Sequence, residues 1–317
     1  MDNIIEVKNL KKYFLSPKGI VHAVDDVSFS IQARQTVGVV GESGCGKTTL
    51  GRTLIHLAES TSGHILYRGE DITHVGKTKL RELRSKMQII FQDPYSSLDP
   101  RMYVGALIGE AFHSQPLKKE ERDKRVKDLM DTVGIAQRLY YSYPHEMDGG
   151  LRQRVVIARA LALEPEFIVC DEPVSSLDVS IQAQVLNLLN DLQKEKKLTY
   201  LFITHDLSVV RYVSDEICVM YLGQMVEKGP AEELFQTPRH PYTKALLAAV
   251  PEPVVSDERK RKEIIKGEVT SPINPPEGCR FAARCPYAAE ACKQPQTLKE
   301  YYSGHFVSCW RTLEINK

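Results

Sequence analysis

Gly41-Glu-Ser-Gly-Cys-Gly46-Lys47-Thr48 constrains this chain more than any other stretch of it. The segment fits G-x-x-x-x-G-K-[ST], and it stands where that pattern has structural meaning. An apolar run, Thr36–Val40, precedes it and reads as a buried strand, and a helix is expected from Lys47. The glycines let the backbone curl so that its N–H groups face phosphate oxygens, and the helix N-terminus adds partial positive charge. Lys47 is expected to reach the β- and γ-phosphates of a nucleotide, and Thr48 to ligate magnesium. Glu42, Ser43, Gly44, Cys45 and Thr49 complete the cradle, with Cys45 filling a variable loop position rather than carrying chemistry.

A site that hydrolyses a nucleotide needs a further carboxylate for magnesium and a group to orient water. Phe167-Ile-Val-Cys-Asp171-Glu172 supplies both. Its apolar residues bury a strand and deliver Asp171 at the C-terminal tip, and Glu172 follows, where it can polarise an attacking water. Thr199–Ile203 and Ile217–Tyr221 read as further short strands, with a helix over Ile181–Leu192 between the first of these and Phe167–Cys170. Lys119–Val133 carries apolar residues at helical spacing and stops at Gly134. Strands alternating with helices imply a mostly parallel, covered sheet. The period-2 stretches Ile4–Leu10 and Val21–Ile31 read as antiparallel strands.

Composition excludes several alternatives. With 42 Lys+Arg against 41 Asp+Glu the net charge is +1, without the basic excess of a protein that coats nucleic acid. Apolar runs such as Ile217–Leu222 are far short of a bilayer span. The acidic start, Met1-Asp-Asn-Ile-Ile-Glu, shows no secretory pattern, so a cytosolic location is the default expectation. After Val250 the character changes: Pro251-Glu-Pro, the charged Asp257–Lys262 and the proline-rich Ser271–Gly278 read as a linker. It leads to a module of roughly 40 residues, too small to rest on an apolar core alone. Four of the seven cysteines lie there, Cys279, Cys285, Cys292 and Cys309, spaced C-x5-C-x6-C-x16-C. Four thiolates could hold a [4Fe–4S] cluster or a tetrahedral zinc, and the absence of a C-x2-C knuckle favours iron–sulfur. Reduced free thiols and oxidation-formed disulfides are the plainer readings. His305 is a possible substitute ligand and more simply a structural residue.

Pro144-His-Glu-Met-Asp148-Gly149-Gly150-Leu151-Arg-Gln-Arg154 resembles the signature segment of ABC ATPases, usually LSGGQ-x-QR. Val174-Ser-Ser-Leu-Asp178 resembles their D-loop, Gln92 in Ile89-Ile-Phe-Gln-Asp-Pro their Q-loop glutamine, and His205 in Ile203-Thr-His-Asp their switch histidine. Phe14 stands at the place of the aromatic that stacks on adenine, with Tyr13 as the alternative. The resemblance implies an α/β phosphate-loop fold with a RecA-like core, an antiparallel β subdomain and a helical subdomain at about 94–154, together spanning 1–250. It also implies ATP sandwiched head to tail between one subunit's phosphate loop and another's signature, with Thr48, Gln92 and Asp171 around Mg²⁺. Glu172, His205 and Gln92 are then the catalytic set, and Gly149 and Gly150 let backbone N–H groups approach the partner's γ-phosphate. Asp148 departs from the usual serine, and a carboxylate there would repel a phosphate. That suggests a heterodimer with unequal sites.

Gln92-Asp-Pro-Tyr-Ser-Ser-Leu-Asp-Pro100, Arg239-His-Pro-Tyr-Thr-Lys244 and the cysteine tail at 251–317 resemble the ATPase subunits of dipeptide and oligopeptide importers, a group that includes nickel importers. The phosphate-loop segment through Arg52 is closer to the second of their two ATPase subunits. Relatives with this tail hold an iron–sulfur cluster. The partners so implied are a second ATPase subunit, two transmembrane permease subunits and an extracytoplasmic binding protein, with the chain peripheral on the cytoplasmic face of the membrane. A soluble ABC ATPase acting on DNA or ribosomes is the alternative. The compact interval between phosphate loop and signature, and the single cassette, speak against it.

Overall fold

The computed structural model describes residues 2–249 and 271–316. Residues 251–270 of the expected linker therefore lie outside the described residues, while its end, Ser271–Gly278, is described. The chain forms two compact units, one of Asp2–Ile31, Thr36–Thr73 and Ile203–Lys317, the other chiefly of His74–Phe202.

The first unit contains the phosphate loop. β1 (Asn3–Ser16) and β2 (Gly19–Gln32) are longer than the alternating stretches that predict them. They join β4 (Ser62–Tyr67) and β5 (Glu70–Asp71) in a four-stranded sheet ordered β2-β1-β4-β5. β3 (Thr36–Val40) is buried at every position, as a run of five apolar and small residues requires when both faces of a strand are covered. It runs parallel to β9 (Glu216–Tyr221), with Val37 opposite Glu216 and Val40 opposite Val219. β9 pairs antiparallel with β10 (Gln224–Pro230), turning through Leu222 and Gly223 in left-handed backbone (φ 43° and 84°).

The cysteine tail is built onto this same unit. A hairpin of β11 (Lys299–Tyr302) and β12 (His305–Val307) pairs with β10, placing Glu227 opposite Val307. Near the start of the tail, Asn274 N–H donates to the Ile20 carbonyl of β2 at 2.9 Å. Phe281 is buried against Tyr221 and Tyr242, with ring centroids 5.3 and 5.4 Å away. It shares one apolar cluster with Val40, Ile217, Val219 and Leu234, and Cys279 and Cys285 pack against that cluster. Burying a phenylalanine this way contributes about 1.5–3 kcal/mol. Strand pairing and core burial thus anchor a module whose local sequence carries little apolar patterning.

The second unit contains β6 (Met87–Ile90), parallel to β7 (Phe167–Asp171), with β8 (Thr199–Ile203) next to β7 in the strand order. Helices Pro94–Ser97, Val104–Gly109 and Lys119–Thr132 and the first turns of Gly149–Leu161 fill the 94–154 interval. The Lys119–Thr132 helix buries Val126 and Met130 and ends at Gly134 (φ 71°), as its sequence predicts. Val179–Lys196 turns Val185, Leu189 and Leu192 inward. Among the described residues no helix is long and apolar enough to cross a membrane.

Candidate functional site

In the first unit, the chain leaves β3 at Gly41 and enters the helix Lys47–Leu54 after Gly46. Gly41, Gly44 and Gly46 all have positive φ (152°, 77° and 105°). At two of these positions space also demands glycine: a Cβ on Gly41 would meet the Met220 carbonyl oxygen, and one on Gly46 that of Ala23. Lys47 is buried, and its ammonium donates to the carbonyls of Gly41 at 2.8 Å and Glu42 at 3.1 Å. A cation is thus held at the centre of the loop by the loop itself. Ser43 and Gly44 are exposed at its tip, while Glu42, Thr48 and Thr49 are half-buried. Burial raises the pKa of the Cys45 thiol, which keeps it protonated and unreactive.

The two aromatic candidates face different surroundings. Tyr13 stacks on His22 at 4.1 Å between centroids, and its hydroxyl donates to the Asp25 carboxylate. Phe14 is 43% exposed, with the Lys12 ammonium 4.7 Å from its ring centroid. His205 follows Thr204, whose N–H donates to the Val39 carbonyl at 3.2 Å, and is exposed ahead of the helix Leu207–Val213.

In the second unit, β7 delivers Asp171 as a 1%-exposed carboxylate at its end. Glu172 is next, in the left-handed region at φ 47°. That conformation is costly for a residue with a Cβ and clusters at functional sites. Gln92, exposed beyond β6, donates from Nε2 to Glu172 Oε2 at 3.1 Å, so two of the three residues expected to act in catalysis meet directly. Asp148 caps the helix Gly149–Leu161, accepting from Leu151 N–H at 2.8 Å. Its carboxylate is exposed but turned onto its own helix N-terminus, where an anion is favoured. Gly149 is half-buried and Gly150 buried; a Cβ on Gly150 would crowd Ile181. Asp178 caps Val179–Lys196 in the same way, accepting from Ile181 N–H at 3.0 Å.

Two residues outside the sequence expectation touch the phosphate loop, and a third braces the turn beside it. Tyr242 Oη accepts from the Glu42 N–H at 2.9 Å. Arg284 grips the Glu42 carboxylate with both terminal nitrogens, at 2.8 and 3.0 Å. Arg280 donates to the Leu222 carbonyl and to Asp25. They lie 200 or more residues from Glu42 and Asp25 along the chain, and no local pattern announces them.

The tail thiols Cys279, Cys285, Cys292 and Cys309 line one small pocket with His240, Phe281 and Trp310 among its walls. The Trp310 indole N–H points at Cys292 Sγ, 3.4 Å away, and Cys279 N–H donates to the Cys292 carbonyl at 2.7 Å. Among the described residues no group of three or more His, Cys, Asp or Glu side chains is arranged to hold a metal ion. His305 does not line the thiol pocket. It is buried between Glu227 (2.7 Å) and Glu233 (3.2 Å), and although burial alone would lower its pKa, those carboxylates raise it. It is a structural residue of β12 paired with carboxylates.

Comparison with known proteins places these features. The ABC transporter profile matches residues 24–175, and a profile described as the C-terminal region of oligopeptide/dipeptide transporters matches 226–292. The oligopeptide transport ATP-binding protein AppF of Bacillus subtilis is 50% identical over 97% of this chain and 97% of its own length. OppF of Salmonella typhimurium, another oligopeptide transport ATP-binding protein, is 48% identical over 96% and 92%. Among solved structures, a dimeric post-hydrolysis state of the cassette MJ0796 bound to ADP and Pi is similar, with a TM-score of 0.66 and 26% identity. The likeness covers 72% of this chain and 98% of that one. A glycine loop shaped for phosphate, a strained glutamate bonded to a glutamine, and near-full-length identity of about one half together show that the chain belongs to the ABC transporter family, among the ATP-binding subunits of oligopeptide transporters.

Proposed function

We propose that this chain is the ATP-hydrolysing motor of a peptide importer and supplies one jaw to each of two nucleotide sites in a head-to-tail pair of cassettes. The hydrogen bond between Gln92 and a backbone-strained Glu172 carries the reading, because it joins a general base to a residue that can sense the nucleotide. Loop N–H groups and Lys47 bind the β- and γ-phosphates, Phe14 offers an open ring face to the base, and Glu172 takes the proton of the attacking water. His205 hydrogen-bonds the γ-phosphate and holds that water. Thr48, Asp171 and Gln92 present the hard oxygen ligands that magnesium prefers, and the ion would neutralise charge on the phosphates. Gly149, Gly150 and Asp178 face the partner's nucleotide. The cassette occupies 1–250 and the extension 251–317, and the assembly sits on the cytoplasmic face of the cell membrane with two permease subunits and an extracytoplasmic binding protein.

The partner cassette is a different chain carrying the usual signature serine. Asp148 supports this, since it puts an exposed, capping carboxylate where the usual signature has a serine, at the helix end that would meet a partner's γ-phosphate. Serine caps a helix about as well as aspartate, so Asp148→Ser removes the charge and keeps the cap. In the assembled transporter in lipid vesicles, peptide-loaded binding protein is expected to stimulate ATP hydrolysis. Asp148→Ser is expected to raise ATP affinity about fivefold, the effect of about 1 kcal/mol of exposed charge interaction. Turnover indifferent to loaded binding protein would remove the importer reading, and an unchanged affinity would remove the unequal sites.

The tail holds a [4Fe–4S] cluster on Cys279, Cys285, Cys292 and Cys309. The four cysteines lining one small pocket support it, and the lack of a C-x2-C knuckle favours it over zinc. The cluster would cross-link segments otherwise joined by one aromatic cluster and a short hairpin. Chain purified without oxygen is expected to contain four irons with broad visible absorbance. Protein with neither iron nor zinc would overturn the assignment.

A further inference from the structure

The second residue of the phosphate loop is an acid, which is unexpected in a site built for a triphosphate. A carboxylate at Glu42 places an anion beside the polyanion that the loop must attract. The fold answers it with Arg284, whose two terminal nitrogens bind the two carboxylate oxygens at 2.8 and 3.0 Å. The guanidinium is 7% exposed and also donates to Tyr221 Oη at 3.3 Å, so its position is fixed. Four residues earlier, Arg280 braces the turn that in turn bonds the loop at Cys45. It donates to the Leu222 carbonyl in the left-handed turn between β9 and β10 and to the Asp25 carboxylate. The next residue of that turn, Gly223, donates its N–H to the Cys45 carbonyl at 2.8 Å and accepts from Asp25 N–H at 2.8 Å.

We propose that the tail segment Cys279–Cys285 is a positioning element of the ATP site. Arg284 neutralises and orients Glu42, and Arg280 braces the turn that supports Cys45. The loop is thereby held at its second and fifth residues by a module outside the core cassette, and ATP affinity depends on that module being docked. This rests on the nucleotide-site reading above. Neither arginine touches the nucleotide in this arrangement; both act through the loop.

The test uses the full chain, with ATP displacing a fluorescent ATP analogue and the thermal unfolding midpoint measured alongside. Arg284→Gln leaves Glu42 as an uncompensated anion and is expected to weaken ATP binding roughly tenfold, the scale of a lost charge-assisted bond. Glu42→Gln is expected to tighten it severalfold, because the loop then loses an anion and keeps the buried Arg284 charge beside it. The double variant is expected to return to within about threefold of wild type, a coupling that loss of docking alone would not produce. In the assembled transporter the rise in KM for ATP with Arg284→Gln should exceed the fall in kcat. Wild-type affinity in Arg284→Gln, or a double variant as weak as Arg284→Gln, would overturn the proposal. If Arg284→Gln does not fold, Glu42→Gln decides alone: unchanged or weaker ATP binding overturns it. A wild-type chain that fails to bind ATP would instead sink the nucleotide-site reading.

Discussion

Glu172→Gln is expected to reduce ATP turnover by roughly 10²–10⁴-fold, the contribution of a positioned general base, while ATP remains bound. The substitution isolates the chemistry. Gln92 donates to Glu172 through one carboxylate oxygen, and a glutamine at position 172 keeps an oxygen there to accept that bond. Backbone geometry should also persist, since the left-handed φ of 47° is imposed by the turn after β7 and not by the charge. What disappears is a group able to take a proton from water. ATP should therefore accumulate unhydrolysed in a closed pair of cassettes, measurable as stoichiometric ATP retained through gel filtration with no phosphate released. Turnover near the wild-type rate would remove Glu172 from the catalytic role.

Lys47→Ala acts one step earlier. Its ammonium is the buried charge at the centre of the loop, and it also ties together the carbonyls of Gly41 and Glu42. Removing it costs hydrogen bonds to a charged ligand, about 1.5–3 kcal/mol, so ATP affinity should fall about 10- to 150-fold. The loop's glycine-dependent path, set by the carbonyls of Met220 and Ala23, should survive, and the unfolding midpoint should move little. Equilibrium binding separates this variant from Glu172→Gln, which binds but does not turn over. Wild-type affinity after Lys47→Ala would contradict the phosphate assignment.

Where the chain's own chemistry is local, its sequence announces structure well. β3 and β8 coincide with the apolar runs Thr36–Val40 and Thr199–Ile203, because strands buried on both faces need uninterrupted small or apolar residues. The helix Lys119–Thr132 is bounded by its apolar spacing and by Gly134. β1 extends to Ser16, well past the alternating stretch, because pairing rather than side-chain pattern sustains its outer half, as in the Lys11–Ser62 register. β6 and the hairpin strand Lys299–Tyr302 are short and mixed in polarity, and only partners distant in sequence define them. The site divides in the same way. Glycine spacing and the acidic strand end are contiguous signals, and so is the Asp148 cap. Arg284 and Tyr242 reach Glu42, and Arg280 reaches Asp25, across two hundred residues or more, and nothing in their neighbours' sequence points to the loop.

The head-to-tail clasp is tested most directly by asking which chain the γ-phosphate touches. An ATP analogue with a photoreactive group on the γ-phosphate would be crosslinked in an assembly carrying one Lys47→Ala chain and one intact partner cassette. Label on the Asp148–Leu151 segment of the Lys47→Ala chain is the predicted result, because the nucleotide reaching that segment is held by the partner's phosphate loop. Loss of label from that segment, with the partner still binding ATP, would show that each chain holds its nucleotide alone and would contradict the shared site.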